Sequence, residues 1–183
     1  MTQKCYIVDF DGTLIREDLE REYMKWLLRQ KEVRYRMLCV SLLTLPINML
    51  RNKLGYPSIF KSWTYVLRGH IDEYINTFIQ NEAAKTIHLR EDVWQMLNGG
   101  DEIVLLSGCY KDLLIAYLEH IKRKSVFAEI IGCETEANQV CVKIHPYGRG
   151  KCLFVNQGKY NVGVANEKVD HYYMDMCNEQ IYV

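Results

Sequence analysis

The stretch Cys5-Tyr6-Ile7-Val8-Asp9-Phe10-Asp11-Gly12-Thr13-Leu14 decides how this chain is read. An apolar run ends at Val8, and two carboxylates spaced two residues apart follow it, with a glycine that lets the chain turn. Residues Ile7 to Phe10 suit a central parallel strand, whose carboxyl end is where open α/β sheets place their ligands. A carboxylate at that point has two readings. Asp9 could cap a neighbouring element beside an ordinary Asp-Gly turn, or it could serve phosphoryl chemistry, which needs an aligned oxygen nucleophile. The rest of the chain argues for the second.

Three later segments carry that argument. After an apolar strand from Glu102 to Leu106 come Ser107 and Gly108, a hydroxyl and a flexible backbone. Alone this is also a helix N-cap ahead of Tyr110-Lys111-Asp112. Gly148-Arg149-Gly150-Lys151 places a lysine at the expected start of a helix, and Val162 to Ala165 reads as a short strand running into Asn166-Glu167-Lys168-Val169-Asp170. In order, strand context and separation, these four segments resemble the haloacid dehalogenase (HAD) superfamily over nearly the whole chain. A long helical insert directly after the first motif, and Ile131-Gly132-Cys133-Glu134 followed by Lys143 to Lys151, resemble its phosphoserine-phosphatase-like branch.

The resemblance implies an α/β fold: a doubly wound parallel sheet, the HAD-like Rossmannoid core, with an inserted all-helical cap. The strand of the first motif should lie between those of the second and fourth. It further implies a magnesium-dependent phosphatase that works on phosphate monoesters through an aspartyl-phosphate. Asp9 would be the nucleophile and Asp11 the general acid and base. Ser107, Gly108 and Lys151 would hold the phosphate, and Mg2+ would sit on Asp9, the Asp11 carbonyl, Asn166 and Asp170. One position departs from the pattern. Asn166 stands where the family presents an aspartate, so weaker metal binding is expected, with Glu167 as a neighbour able to lend a carboxylate.

Composition narrows the field. The chain has 183 residues, enough for one substantial core and an inserted subdomain. Its 23 basic side chains balance 23 acidic ones, so no whole-molecule field recommends nucleic acid as a partner. The seven cysteines form no Cys-x-x-Cys pair and read as reduced core thiols; the five histidines are scattered without metal-ligand spacing. The amino terminus enters the first strand almost at once, leaving no room for a signal peptide. A cytoplasmic location is the expectation.

Residues 1–15 and 90–183 are assigned to the catalytic core and residues 16–89 to the helical cap. Glu17 to Arg36 carries Leu19, Tyr23, Trp26, Leu27 and Val33 at mixed three and four spacing, one greasy face along a charged helix. Met37 to Leu50 is uncharged throughout, with Arg34 and Arg36 before it and Arg51 and Lys53 after it. At fourteen residues it is too short to span a bilayer. Burial as a cap hairpin is expected, with Pro46 kinking or ending a helix; an interfacial patch against lipid is the alternative. A break is expected near Gly55 and Pro57, then helices at Ser58 to Leu67, Ile71 to Lys85, and Arg90 to Asn98, the last closed by Gly99-Gly100. Beyond Glu102 strand and helix alternate: helix Tyr110 to Ile121, strand Glu129 to Cys133, a paired strand Val140 to Ile144, helix Lys151 to Gln157 and strand Asn161 to Ala165.

The partner expected is a small phosphorylated substrate chosen by the cap, with Arg16, Glu17 and Asp18 as the nearest candidates for recognising it. The uncharged tract, Trp63 and Gly69-His70 also resemble the phosphatidylglycerophosphate phosphatases of the branch. Two rival functions differ in class. Phosphonate or haloacid cleavage needs a lysine Schiff base or a halide cradle, whereas Asp11 favours phosphate esters. A non-catalytic binding module would account for Asn166 and the greasy insert.

Overall fold

The computed structural model describes residues 4–54, 58–59, 61–97, 102–136, 141–155, 159–166 and 170–183. Six strands form one sheet: β1 (Cys5–Val8), β2 (Glu102–Tyr110), β3 (Glu129–Thr135), β4 (Val142–Ile144), β5 (Val162–Ala165) and β6 (Glu179–Tyr182). Their order is β4-β3-β2-β1-β5-β6, parallel except for β4, which pairs antiparallel with β3. This is the doubly wound α/β sheet expected, with β1 between the strands that lead to Ser107 and Asn166.

Alternation along the central strands explains why both faces are covered. Tyr6 and Val8, Ile103 and Leu105, and Val162 and Val164 feed one hydrophobic cluster, while Cys5 and Ile7, Val104 and Leu106, and Ala165 feed another. Side chains of a strand point alternately to opposite faces, so a sheet apolar at every position must be buried on both. The first cluster takes in α6 (Glu91–Leu97), α7 (Lys111–His120) and the helices that lie between β1 and β2 in sequence. The second takes in α8 (His171–Met174) and the 3-10 segment Gly148–Phe154.

Between β1 and β2 run α1 (Leu19–Leu27), α2 (Lys31–Lys53), α3 (Ser62–Val66), α4 (Ile71–Phe78), a π turn Ile79–Ala83 and α5 (Ala84–Thr86). An antiparallel bridge between Ile15 and Leu89 closes the neck of this insert. Its aromatic residues reach the sheet: Tyr23 meets Trp63 and Phe78 edge-on at 5.2 Å each, and Trp63 meets Tyr110 of β2 at 4.9 Å. Insert and sheet thus share one core.

Several expectations for the elements need correction. Glu17 to Arg36 is divided, because the chain leaves the helix at Leu28 to Gln30 before α2 begins. Met37 to Leu50 is not a buried hairpin. It lies within the single helix α2, buries Met37, and leaves Leu38, Leu42, Leu43, Leu45, Ile47, Met49 and Leu50 exposed. Pro46 neither ends nor divides that helix, since tertiary bonds pin it on both sides: Ser41 Oγ lies 3.2 Å from Ser62 Oγ, and Asn48 Oδ1 accepts from the Ile59 amide at 3.1 Å. The thiols are not all in the core, for Cys39 is exposed. Gly55, Pro57, Gly99 and Gly100, taken above as punctuation, lie outside the described residues.

Candidate active site

The apolar strand β1 carries its pairing one residue further, the Asp9 amide donating to the Val164 carbonyl at 2.9 Å, and then the chain turns. The amides of Thr13 and Leu14 both return to the Phe10 carbonyl, at 3.2 and 2.9 Å. Gly12 makes the turn with φ +70°, and a Cβ there would lie 2.0 Å from the Asn166 amide nitrogen. Only glycine satisfies both conditions. The tight loop therefore brings the carboxyl end of β1 against that of β5.

Asp9 is buried, and its two oxygens have different partners. The Lys151 ammonium donates to Oδ1 at 2.6 Å, and the Thr13 hydroxyl is placed to donate to Oδ2 at 3.3 Å. Lys151 also pairs with Asp170 Oδ1 at 2.7 Å. Burial alone would favour the neutral amine, but the two carboxylates overcome it and raise the pKa of Lys151, so the cation is held firmly. The lysine does not open an α-helix as expected. Gly148–Phe154 is a 3-10 helix with Lys151 at its middle, and Gly148 adopts a positive φ.

Asp11 lies on the opposite side of the turn, where Oδ1 accepts from the Leu19 amide at 2.8 Å and Oδ2 accepts from the Ser107 hydroxyl at 3.3 Å. Burial, then the Asp18 and Asp9 carboxylates, push its pKa well above the ordinary carboxyl value. These surroundings shift Asp11 toward its protonated form. Ser107 and Gly108 lie in an irregular part of β2, after the register shift that follows Leu106. Ser107 Oγ accepts from the Cys109 amide at 3.0 Å; it is not the cap of α7, a position occupied by Tyr110.

Asp9, Asp11, Gly108, Lys151 and Asp170 all line one cavity of about 760 Å3 between the sheet edge and the insert. Of the three insert residues expected near the substrate, Asp18 lines this cavity, Glu17 instead accepts from the His88 amide at 2.7 Å, and Arg16 borders a separate hollow. Sequence reasoning missed Glu20. Its carboxylate is paired with Lys61, accepts from Trp63 Nε1 at 2.9 Å and accepts from the Tyr110 amide at 3.2 Å. The sole local signal was an acidic residue beside Leu19 on the first turn of an amphipathic helix; its partners lie 41 to 90 residues away. His145 lines the same cavity and was also missed.

Apart from the Lys151 ammonium, the groups beside Asp9 that could ligate a metal are oxygens, the ligand type magnesium takes. Thr13 Oγ1 is 3.3 Å from Asp9 Oδ2 and 3.4 Å from Asn166 Oδ1, so these two oxygens flank one point. Asp170 directs Oδ1 at Lys151. Among the described residues no group of three His, Cys, Asp or Glu side chains is arranged to hold a metal, in keeping with an amide at position 166. Glu167 lies outside the described residues. Asp9, Asn166 and Asp170 could offer side-chain oxygens to a magnesium ion, one carboxylate fewer than with an aspartate at position 166.

Comparison with solved structures shows the same fold elsewhere. A Bordetella pertussis Tohama I protein of unknown function superposes with a TM-score of 0.68 at 15% identity, over 100% of this chain and 90% of that one. A substrate-bound phosphoserine phosphatase superposes with a TM-score of 0.55 at 14% identity, over 100% of this chain and 86% of that one. A phospho-aspartyl intermediate analogue of phosphoserine phosphatase gives 0.54 at 14% identity, over 100% and 87%. A comparison with curated protein sequences finds no match. At such identities the likeness speaks for the fold alone. The family itself is fixed by sequence: the model of haloacid dehalogenase-like hydrolases matches residues 7–168, and the chain belongs to that family.

Proposed function

We propose that the chain hydrolyses phosphate monoesters through a phosphoryl group carried on Asp9, with Mg2+ as cofactor. The observation that supports this most is the placement of Asp9: it ends the central strand, faces the cavity, and has the Lys151 ammonium 2.6 Å from Oδ1. A dianionic ester repels a carboxylate, so attack requires a cation beside both. Lys151 provides one, and magnesium on Asp9, the Asp11 carbonyl, Asn166 and Asp170 would add charge neutralisation at the phosphoryl oxygens.

An Asp9 oxygen attacks phosphorus, and the bond from phosphorus to the ester oxygen breaks. Asp11, whose burial raises its pKa, gives its proton to the departing alkoxide. The carboxylate left behind then takes a proton from water, whose oxygen attacks phosphorus and restores Asp9. The Gly108 backbone, which lines the cavity, orients the transferred group, while the Ser107 hydroxyl behind it holds Asp11. The seven free thiols suit a reducing cytoplasm.

Phosphate release from p-nitrophenyl phosphate in magnesium tests this reading. Asp9→Asn should reduce turnover by about 10^6-fold, the scale on which loss of a nucleophile is felt. Retained turnover would contradict it.

A further inference from the structure

The helix α2 presents the wrong face to water. Two of its polar side chains turn toward the protein: Ser41 Oγ lies 3.2 Å from Ser62 Oγ, and Asn48 Oδ1 accepts from the Ile59 amide at 3.1 Å. On the opposite side, Tyr35, Leu38, Leu42, Leu43, Met49 and Leu50 recur at three and four residue spacing and are all exposed. Leu42 and Leu43 are 75% and 78% exposed. A continuous apolar stripe of this kind marks a surface that something covers.

Charge and position say what covers it. No charged residue lies between Met37 and Leu50, while Arg34 and Arg36 precede that tract and Lys53 follows it. A leucine stripe bracketed by basic side chains matches an anionic bilayer, with hydrocarbon against the leucines and headgroups against the flanks. The tract covers roughly 21 Å at the α-helical rise, and among the described residues no helix is long and apolar enough to cross a membrane. With its other side bonded to the insert, α2 can only lie along the surface. The same helix also borders the catalytic cavity, through Leu45 and Asn52. The helix that would meet the bilayer is therefore also a wall of the cavity that takes the phosphate.

We propose that α2 seats the protein on an anionic lipid bilayer and that the phosphate monoester it hydrolyses is borne by a lipid of that surface. The substrate half of this statement rests on the phosphatase reading above; the docking half does not.

The full chain should be sedimented with vesicles of phosphatidylcholine alone and of phosphatidylcholine mixed with phosphatidylglycerol, and assayed on phosphatidic acid in the mixed vesicles. The expected result is recovery with the mixed vesicles, falling as salt is raised, and release of phosphate from phosphatidic acid. Leu42→Glu combined with Leu43→Glu should lower the vesicle partition coefficient by at least about tenfold. It should leave turnover of p-nitrophenyl phosphate unchanged, which also shows that the variant is folded. As a second variant, Arg36→Glu with Lys53→Glu should remove the preference for phosphatidylglycerol. Failure to bind mixed vesicles would overturn the docking, as would a dimer in sedimentation equilibrium that the double leucine variant converts to monomer. Docking with turnover of p-nitrophenyl phosphate but none of phosphatidic acid would overturn the lipid substrate. Docking with no turnover of either would refute the phosphatase reading and leave the membrane surface established.

Discussion

Asn166 stands where an aspartate was expected for the proposed magnesium site, and its surroundings show what the amide contacts. Its nitrogen occupies the space that Gly12 leaves by lacking a Cβ, and its oxygen approaches the Thr13 hydroxyl, which also approaches Asp9. A neutral side chain here adds no repulsion to Asp9, but it gives a divalent cation one charge less. Asn166→Asp should therefore lower the magnesium concentration for half-maximal turnover of p-nitrophenyl phosphate by about tenfold, since ligand charge tunes the affinity of hard cations. A magnesium titration with an unchanged midpoint would place the ion elsewhere. At this scale the sequence was informative wherever the chemistry demands a fixed local motif. Asp9, Asp11, Lys151 and Asp170 could be picked out from local motifs, and the structure gathers these four around one cavity, whereas Ser107, also picked out, lies within β2 and does not line it. Glu20 was not picked out, because its importance comes from Lys61, Trp63 and Tyr110, which only folding brings to it.

Two elements meet the insert at the sheet edge, and His145 fastens them. It follows β4, and its Nδ1 lies 3.1 Å from the Ser58 carbonyl of the insert. Burial, then the nearby Lys61 ammonium, lowers its pKa from 6.5 to about 4, with the Glu20 carboxylate opposing. The folded protein thus prefers neutral His145, while the unfolded chain takes up a proton below pH 6.5. The stability contributed by the neutral ring is complete above that pH and is lost as pH falls toward 4. With allowance for its partial exposure the loss is on the order of 1–2 kcal/mol. Melting temperatures of the parent and His145→Gln should therefore converge as the solution is acidified through this window. Parallel curves would show that another group controls the acid sensitivity. The helix α2 illustrates what periodicity cannot supply. An uncharged tract does not say which way its leucines face, and burial was expected because Pro46 suited a compact cap hairpin better than a smooth helix lying on lipid. Here Ser41 and Asn48 hold the polar side against α3 and its approach, and the leucines are turned out.

Across the whole molecule, the site exists because distant segments converge. Asp9 and Lys151 are 142 residues apart in sequence, yet the order β2-β1-β5 brings their loops to one edge of the sheet. The strand order was legible through the resemblance of the motifs to a known family, since alternating strands and helices alone permit several orders. The way the insert shares its core with the sheet was not, because it depends on contacts such as Trp63 with Tyr110. Fold, cavity and charge lead to a single chemical claim, that the phosphoryl group rests on Asp9 before water removes it. Acid quenching of the full-length protein during turnover, followed by mass analysis of its peptides, tests this directly. The account predicts a phosphoryl adduct on the peptide containing Asp9, and none in Asp9→Asn. Phosphate release with no adduct at Asp9 on any quench time, or with the adduct on another residue, would contradict it.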